Sequence, residues 1–355
     1  MKINDYYYNQ LNKEERQAYH AMLQGLSSQD SSFAVPRLSP VRLSDLFFMV
    51  RMDHPELFYA VQFTYRYYDN ASNVEFFPAY LFDKKKRKGH IQAMDARLTK
   101  LARPAETLSE REKLIYIHDF ICSNVTYDKL KKEYSHEIIG PLGTGVGVCE
   151  GIAKTVKALC DPLDLCCIIA LCDNNPQKGI KYRHMWNVVK VEGKYYHLDV
   201  TFDNSLSKKD LPLIRYDYFL LCDQQIGRDH EPPIYPLPPC TDGNAFFYMQ
   251  KKLSFTKIEE AAKRAAQYAK KQKPFVFHWR GGYLTKEVLQ ELLAAIEGSC
   301  RAVGKQAAVS LNWPQAVLCL TFSDIDTAGK LQQEPLLEQA NEGELYEELA
   351  SSETE

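Results

Sequence analysis

No stretch of this 355-residue sequence approaches 18 uncharged apolar residues, so no membrane-spanning helix is expected. The opening Met1-Lys2-Ile3-Asn4-Asp5-Tyr6 carries no apolar h-region, which argues against a secretory leader and for a cytosolic chain. The ten cysteines include no Cys-x-x-Cys pair, and that absence removes the simplest zinc and redox motifs. Most of them sit in apolar runs, as Cys166 and Cys167 do, and read as small core residues kept reduced. A formal net charge of only −2 gives no reason to expect a nucleic-acid or membrane partner. The one basic run, Lys84-Lys85-Lys86-Arg87-Lys88, lacks an interleaved basic face and reads as a solvated loop. What remains is an ordinary globular composition, 45% hydrophobic and 25% charged, long enough for two or three domains.

Within it one stretch stands apart. Gly143-Thr144-Gly145-Val146-Gly147-Val148 is glycine-punctuated and uncharged until Cys149, where a helix should begin. From Cys149 the apolar residues Ile152, Val156 and Leu159 recur at helical spacing, and Asp161-Pro162 stops the helix. A thiol at a helix N-terminus faces free N–H groups and the positive end of the macrodipole, which favour a thiolate. A phosphate-loop reading of the same glycines fails on spacing: Gly145, Gly147 and Gly151 are one residue too far apart for a dinucleotide fingerprint.

Downstream, residues 183–191 and 194–201 are rich in β-branched and aromatic residues and are separated only by Glu192-Gly193. That is a two-residue hairpin signal. Opposed residues then sum to 385, so Val191 faces Lys194 and Trp186 faces Asp199. Period-two alternation puts His184, Trp186 and Asp199 on one face, with His184 and Asp199 as diagonal neighbours able to meet. A histidine with a carboxylate beside it is what a cysteine nucleophile needs: the imidazole takes the thiol proton, and the carboxylate fixes its tautomer. Cys149, His184 and Asp199 are therefore the candidate catalytic residues.

Val148-Cys149-Glu150-Gly151-Ile152-Ala153, His184-Met185-Trp186-Asn187 and Asp199-Val200-Thr201-Phe202-Asp203 together resemble the three signature blocks of the transglutaminase-like superfamily. The resemblance covers residues 105–232 and includes Tyr218-Phe219 and Asp229-His230, which are similar to bacterial members. It implies an α+β papain-like/transglutaminase-like core, a Cys-bearing helix packed on an antiparallel sheet that bears His and Asp. It also implies nucleophile, general base and orienting carboxylate roles for Cys149, His184 and Asp199. Ile152, Met185 and Phe202 depart from the residues common in the family and alter packing alone. The implied chemistry is acyl transfer or hydrolysis on a protein or peptide amide through a thioester, and nothing in the sequence requires a cofactor or a metal. The alternatives are a papain-like peptidase or a non-catalytic interaction scaffold. The Cys149 backbone N–H is a candidate oxyanion donor; a second donor is not assignable.

Around this core, residues 1–104 read as an accessory α+β region, with a helix from Lys13 capped by Asn12, another starting at Ser44, and strands at 61–67 and 74–82, where Pro78 favours an edge. Ser109-Glu110-Arg111-Glu112 is a capping-box pattern that opens the catalytic domain, residues 105–240, in which His118 is a core or lining histidine. Residues 123–139 are an expected wall of the substrate groove, and 173–181 a loop beside His184. Five prolines in 231–239 read as an extended connector. Residues 241–330 alternate helices and strands as a small α/β domain, and 331–355, with eight glutamates and no lysine or arginine, read as an acidic tail.

Overall fold

The computed structural model describes residues 5–178, 180, 183–207 and 213–325. The acidic stretch 331–355 lies outside them. Helix Cys149–Cys160 is the hub of the fold. Its apolar residues are divided between two clusters: Ile152, Val156 and Leu159 join helix Glu110–Asn124 through Leu114, Ile117 and Ile121. Ala153 and Ala158 join Ile168, Trp186 and Val188 of the neighbouring sheet. From Gly151 onward every residue of this helix is buried, including Lys154 and Lys157. The sequence period marks one apolar face; the structure covers all of them.

The sheet beside it has four antiparallel strands in the order Cys167–Cys172, His184–Val191, Lys194–Leu198, Phe219–Leu221. The hairpin register is the expected one: Val191 pairs with Lys194 and Asn187 with Leu198. Glu192 and Gly193 both take positive φ, 50° and 81°, as a primed turn requires. Asn187 ties sheet to helix, its amide donating to Ala153 O at 3.0 Å.

The N-terminal region contributes a three-stranded sheet, order Phe33–Pro36, Asn73–Tyr80, Ala60–Tyr67, and helices Lys13–Ser28, Pro40–Asp53 and Lys84–Ala102. Three expectations need correction. The second helix starts at Pro40, capped by Ser39, because proline at the first helical position costs no hydrogen bond. Lys84–Lys88 is no loop: Asp83 caps it and it forms the first turn of a 19-residue helix, with Arg87 buried on Gln29 and the Tyr80 ring. Asn73–Tyr80 is the central strand, and Pro78 is tolerated there because the Phe33–Pro36 strand ends its pairing at Phe76.

At the other end, strands Ser254–Phe255, Phe275–Trp279, Val317–Asp324 and Lys305–Asn312 form a second four-stranded sheet in that order. Helices Ile258–Lys270 and Lys286–Arg301 share a core with this sheet. Val276, Val317 and Cys319 instead join Phe202, Tyr218 and Leu221, which belong to the half that contains the Cys149 helix. Among the described residues no helix is long and apolar enough to cross a membrane.

Candidate active site

Cys149 is the first residue of its helix, and Val148 before it supplies no side-chain cap. The first-turn N–H groups therefore lack a side-chain acceptor and remain aimed at whatever occupies the mouth of the helix. The tight approach to this point explains the glycines. A Cβ on Gly151 would sit 2.2 Å from Ser135 O, and one on Gly140 2.7 Å from Tyr134 O. Gly145 takes φ +72°. Glycine here serves close backbone packing that presents the sulfur, rather than a phosphate cradle.

His184 begins its strand and Asp199 follows the strand that pairs with it. The ladder stops at Asn187 and Leu198, one pair before the expected Trp186–Asp199 pair. Asp199 leaves the sheet to cap helix Val200–Ser205, its Oδ1 accepting from Phe202 N at 3.0 Å. The side chains meet regardless: His184 Nε2 lies 2.5 Å from Asp199 Oδ2. That contact occupies Nε2 and leaves Nδ1 as the ring atom open to the Cys149 thiol, whose influence on His184 is felt in the ring's pKa. Burial works against a charged His184 ring, yet Asp199 and then Cys149 raise its pKa well above the ordinary imidazole value. Asp199, fully buried, is held below the usual carboxylate range in spite of that burial, first by His184 and then by His230.

The three residues named from sequence thus converge. Cys149 and His184 line one cavity of about 280 Å³ whose apolar wall includes Phe48, Val148, Leu171, Met185 and Phe202. Tyr127, Lys131 and His136 complete it from the segment expected to form a wall, and Ile180 and Arg183 from the loop before His184. Phe48 comes from the N-terminal helix Pro40–Asp53, which sequence reasoning left outside the site.

Two further groups escaped the sequence reading. Glu150, next to Cys149, sits in a buried charge cluster: Lys154 Nζ lies 2.7 Å from Glu150 Oε1 and 2.8 Å from Glu137 Oε1, and Arg51 reaches both carboxylates. Burial opposes ionisation of Glu150, but Lys154, His136 and Arg51 together hold it well below the usual carboxylate range. Only the i, i+4 spacing of Glu150 and Lys154 was visible beforehand. His230 is the second: its Nε2 lies 2.9 Å from the same Asp199 Oδ2 that His184 uses. Its position in the Asp229-His230 pair was its only sequence signal. His118, by contrast, is a satisfied core histidine, buried on Asp203 at 3.1 Å.

Among the described residues two sets of metal-type donors lie within 4.8 Å of one another: His184, Asp199 and His230, and His197, Asp223 and Cys240. In the first, both imidazole Nε2 atoms point at one carboxylate oxygen and so carry protons. In the second, His197 Nδ1 accepts from Trp186 Nε1 at 2.9 Å, so its Nε2, 2.9 Å from Asp223, is the protonated nitrogen. In both sets the imidazole nitrogens facing the carboxylate are engaged in hydrogen bonds to it.

Residues 95–200 match the model of the Transglutaminase-like superfamily. No curated protein matches the chain. Among solved structures, it is similar to a crystal structure of a TGase at 13% identity, over 42% of this chain and 46% of that one, with a TM-score of 0.26. It is also similar to a candidate cysteine protease from Cytophaga hutchinsonii at 14% identity, over 40% and 62%, with a TM-score of 0.25. The chain spans less than two thirds of the length of either. The family match starts inside helix Lys84–Ala102, takes in Cys149 and His184, and ends one residue past Asp199. The Cys149 helix and the His184 hairpin, the centre of this α+β core, thus lie in the stretch of the chain, residues 95–200, that matches the transglutaminase-like superfamily.

Proposed function

We propose that this chain is a cysteine-dependent enzyme acting on an amide carbonyl of a protein or peptide, with Cys149 as nucleophile, His184 as general base and acid, and Asp199 as the orienting carboxylate. The observation that carries the reading is that Cys149 and His184 line one largely apolar cavity while Asp199, buried behind it, holds the His184 ring through Nε2. In the forward step the Cys149 proton passes to His184 Nδ1 and the sulfur attacks the carbonyl carbon. The carbonyl oxygen becomes an oxyanion, for which the Cys149 N–H is a donor. Collapse breaks the C–N bond, His184 returns its proton to the departing amine, and a thioester remains. Water or a second amine then attacks the thioester, His184 takes the incoming proton, and the thiol is regenerated.

Alkylation by iodoacetamide, mapped by mass spectrometry, tests the nucleophile directly. Cys149 is expected to react faster than the other nine cysteines, and parity with them overturns the proposal. A glutamine peptide offered with a labelled amine separates the acceptors: incorporation identifies a transferase, whereas cleavage or ammonia release identifies a hydrolase. Cys149→Ala abolishes either activity, and His184→Ala lowers it by about 10⁴-fold.

A further inference from the structure

We propose that His230 is a positioning residue for this site and that the C-terminal α/β unit holds it in place through Gln315, by a buried relay Gln315–Asp229–His230–Asp199. The inference rests on the assignment of Cys149, His184 and Asp199 as the reacting set.

His230 is buried between two carboxylates. Its Nε2 lies 2.9 Å from Asp199 Oδ2 and its Nδ1 2.8 Å from Asp229 Oδ1. An ionised carboxylate only accepts, and a neutral imidazole carries a single N–H, so both contacts are satisfied only by the imidazolium. The other titratable groups around the ring are His184, with ring centroids 5.3 Å apart, the Tyr218 phenol, whose centroid is 5.7 Å away, and His197. A cation flanked by two anions is compensated, and the pKa of His230 is raised, with Asp199 and Asp229 outweighing burial.

This gives Asp199 three donors on two oxygens, His184 and His230 on Oδ2 and Phe202 N on Oδ1, so the carboxylate cannot rotate without losing one. Asp229 is fixed in turn. Tyr218 donates to its Oδ2 at 2.6 Å, and Gln315 Nε2 lies 3.3 and 3.4 Å from its two oxygens. Gln315 sits on the turn between strands Lys305–Asn312 and Val317–Asp324, yet it is 1% exposed. Its amide also donates to Gln225 O at 3.1 Å, and from the same hairpin Asn312 donates to Asp217 at 3.0 Å. A β-turn with two buried amides inserted into the other half of the molecule is a tenon, and what it grips is the second carboxylate behind the catalytic histidine.

The charge has a consequence for reactivity. A fixed cation beside His184 disfavours a second cation there and favours an anion on the sulfur, so its removal raises both proton affinities. His230→Gln is expected to move the pH window of Cys149 alkylation upward by about one unit. In ¹⁵N-histidine NMR of the whole chain at neutral pH, His230 is expected as a doubly protonated ring whose Nδ1–H is protected from solvent exchange. Gln315→Leu loses that protection, while Gln306→Ala, on the same hairpin outside the relay, retains it. Both readouts work without a substrate: if no amide is turned over, the proposed function fails while the relay is still measured. An unshifted alkylation window in a His230→Gln chain of unchanged melting temperature, or a neutral His230 ring in the wild type, overturns the relay.

Discussion

Asp199 combines two duties that substitution can separate. It caps a short helix through Oδ1 and orients His184 through Oδ2. Asparagine is as good a cap as aspartate, so Asp199→Asn preserves the local fold while removing the charge. The sign of the result follows from His184. Its raised pKa keeps the imidazolium above the ordinary value of about 6.5, and Asp199 is the largest favourable cause. Without it burial dominates, so the pH at which the His184 ring loses its proton, followed by ¹⁵N-histidine NMR, should fall below the ordinary imidazole value; a midpoint that stays put contradicts this assignment. At this scale the sequence was informative, because Cys149, His184 and Asp199 each announced themselves by residue type and local spacing. His230 was not legible in that way. Its meaning depends on Asp199 and Asp229 meeting it in space, and Asp199 lies 31 residues away in the chain.

The Cys149 helix is held at its start by charge and along its length by apolar burial. Two carboxylates, Glu137 and Glu150, meet two cations, Arg51 and Lys154, and the set is neutral as a whole. Lys154→Met leaves two anions on one arginine and should destabilise the chain by about 3–5 kcal/mol. Adding Glu137→Gln restores the balance, and urea titrations should find the double variant more stable than Lys154→Met alone. A carboxyl held low in the fold gives stability that is complete above its unfolded value of about 4 and drains away as pH falls toward the folded one. Glu150 and Asp199 are both of this kind. Their contribution, read as the difference in melting temperature between the wild type and a Glu150→Gln or Asp199→Asn chain, should therefore be constant near neutrality and shrink below about pH 4, whereas a difference that does not change with pH there would contradict both assignments. Gly151→Ala should lose both stability and alkylation, since its Cβ would meet backbone oxygen. Element identity was largely written in the sequence: the Ser109–Glu112 capping box and the Glu192-Gly193 turn form as expected. Helix Lys84–Ala102 was missed because its first turn is a charge run whose one buried member, Arg87, is recognised only by its partners.

For the whole molecule, the division at residue 104 is one of sequence and not of packing. Tyr19, Leu46, Phe47, Val50 and Phe76 share a single buried cluster with Ala153, Ile168, Trp186 and Cys240. The proline-rich stretch is part of the same assembly: Ile234 N donates to Leu171 O at 2.8 Å, and Tyr235 stacks edge-on against Tyr7. Sequence periodicity marks apolar faces but does not say which faces meet, so none of this was readable beforehand. A fragment of residues 105–240 would expose the sheet face those N-terminal residues cover. It is expected to lack the cooperative melt of the full chain and to bind a hydrophobic dye; a sharp melt of the fragment would refute this. The Tyr7 hydroxyl donates to Ile169 O across 162 residues, and that span has a cost during synthesis. At ribosomal speeds the first helices must wait on the order of ten seconds or more before the strand they rest on leaves the exit tunnel. Throughout that interval the aromatic-rich surface of the first helices has no partner strand to cover it, a state in which exposed apolar surface favours aggregation.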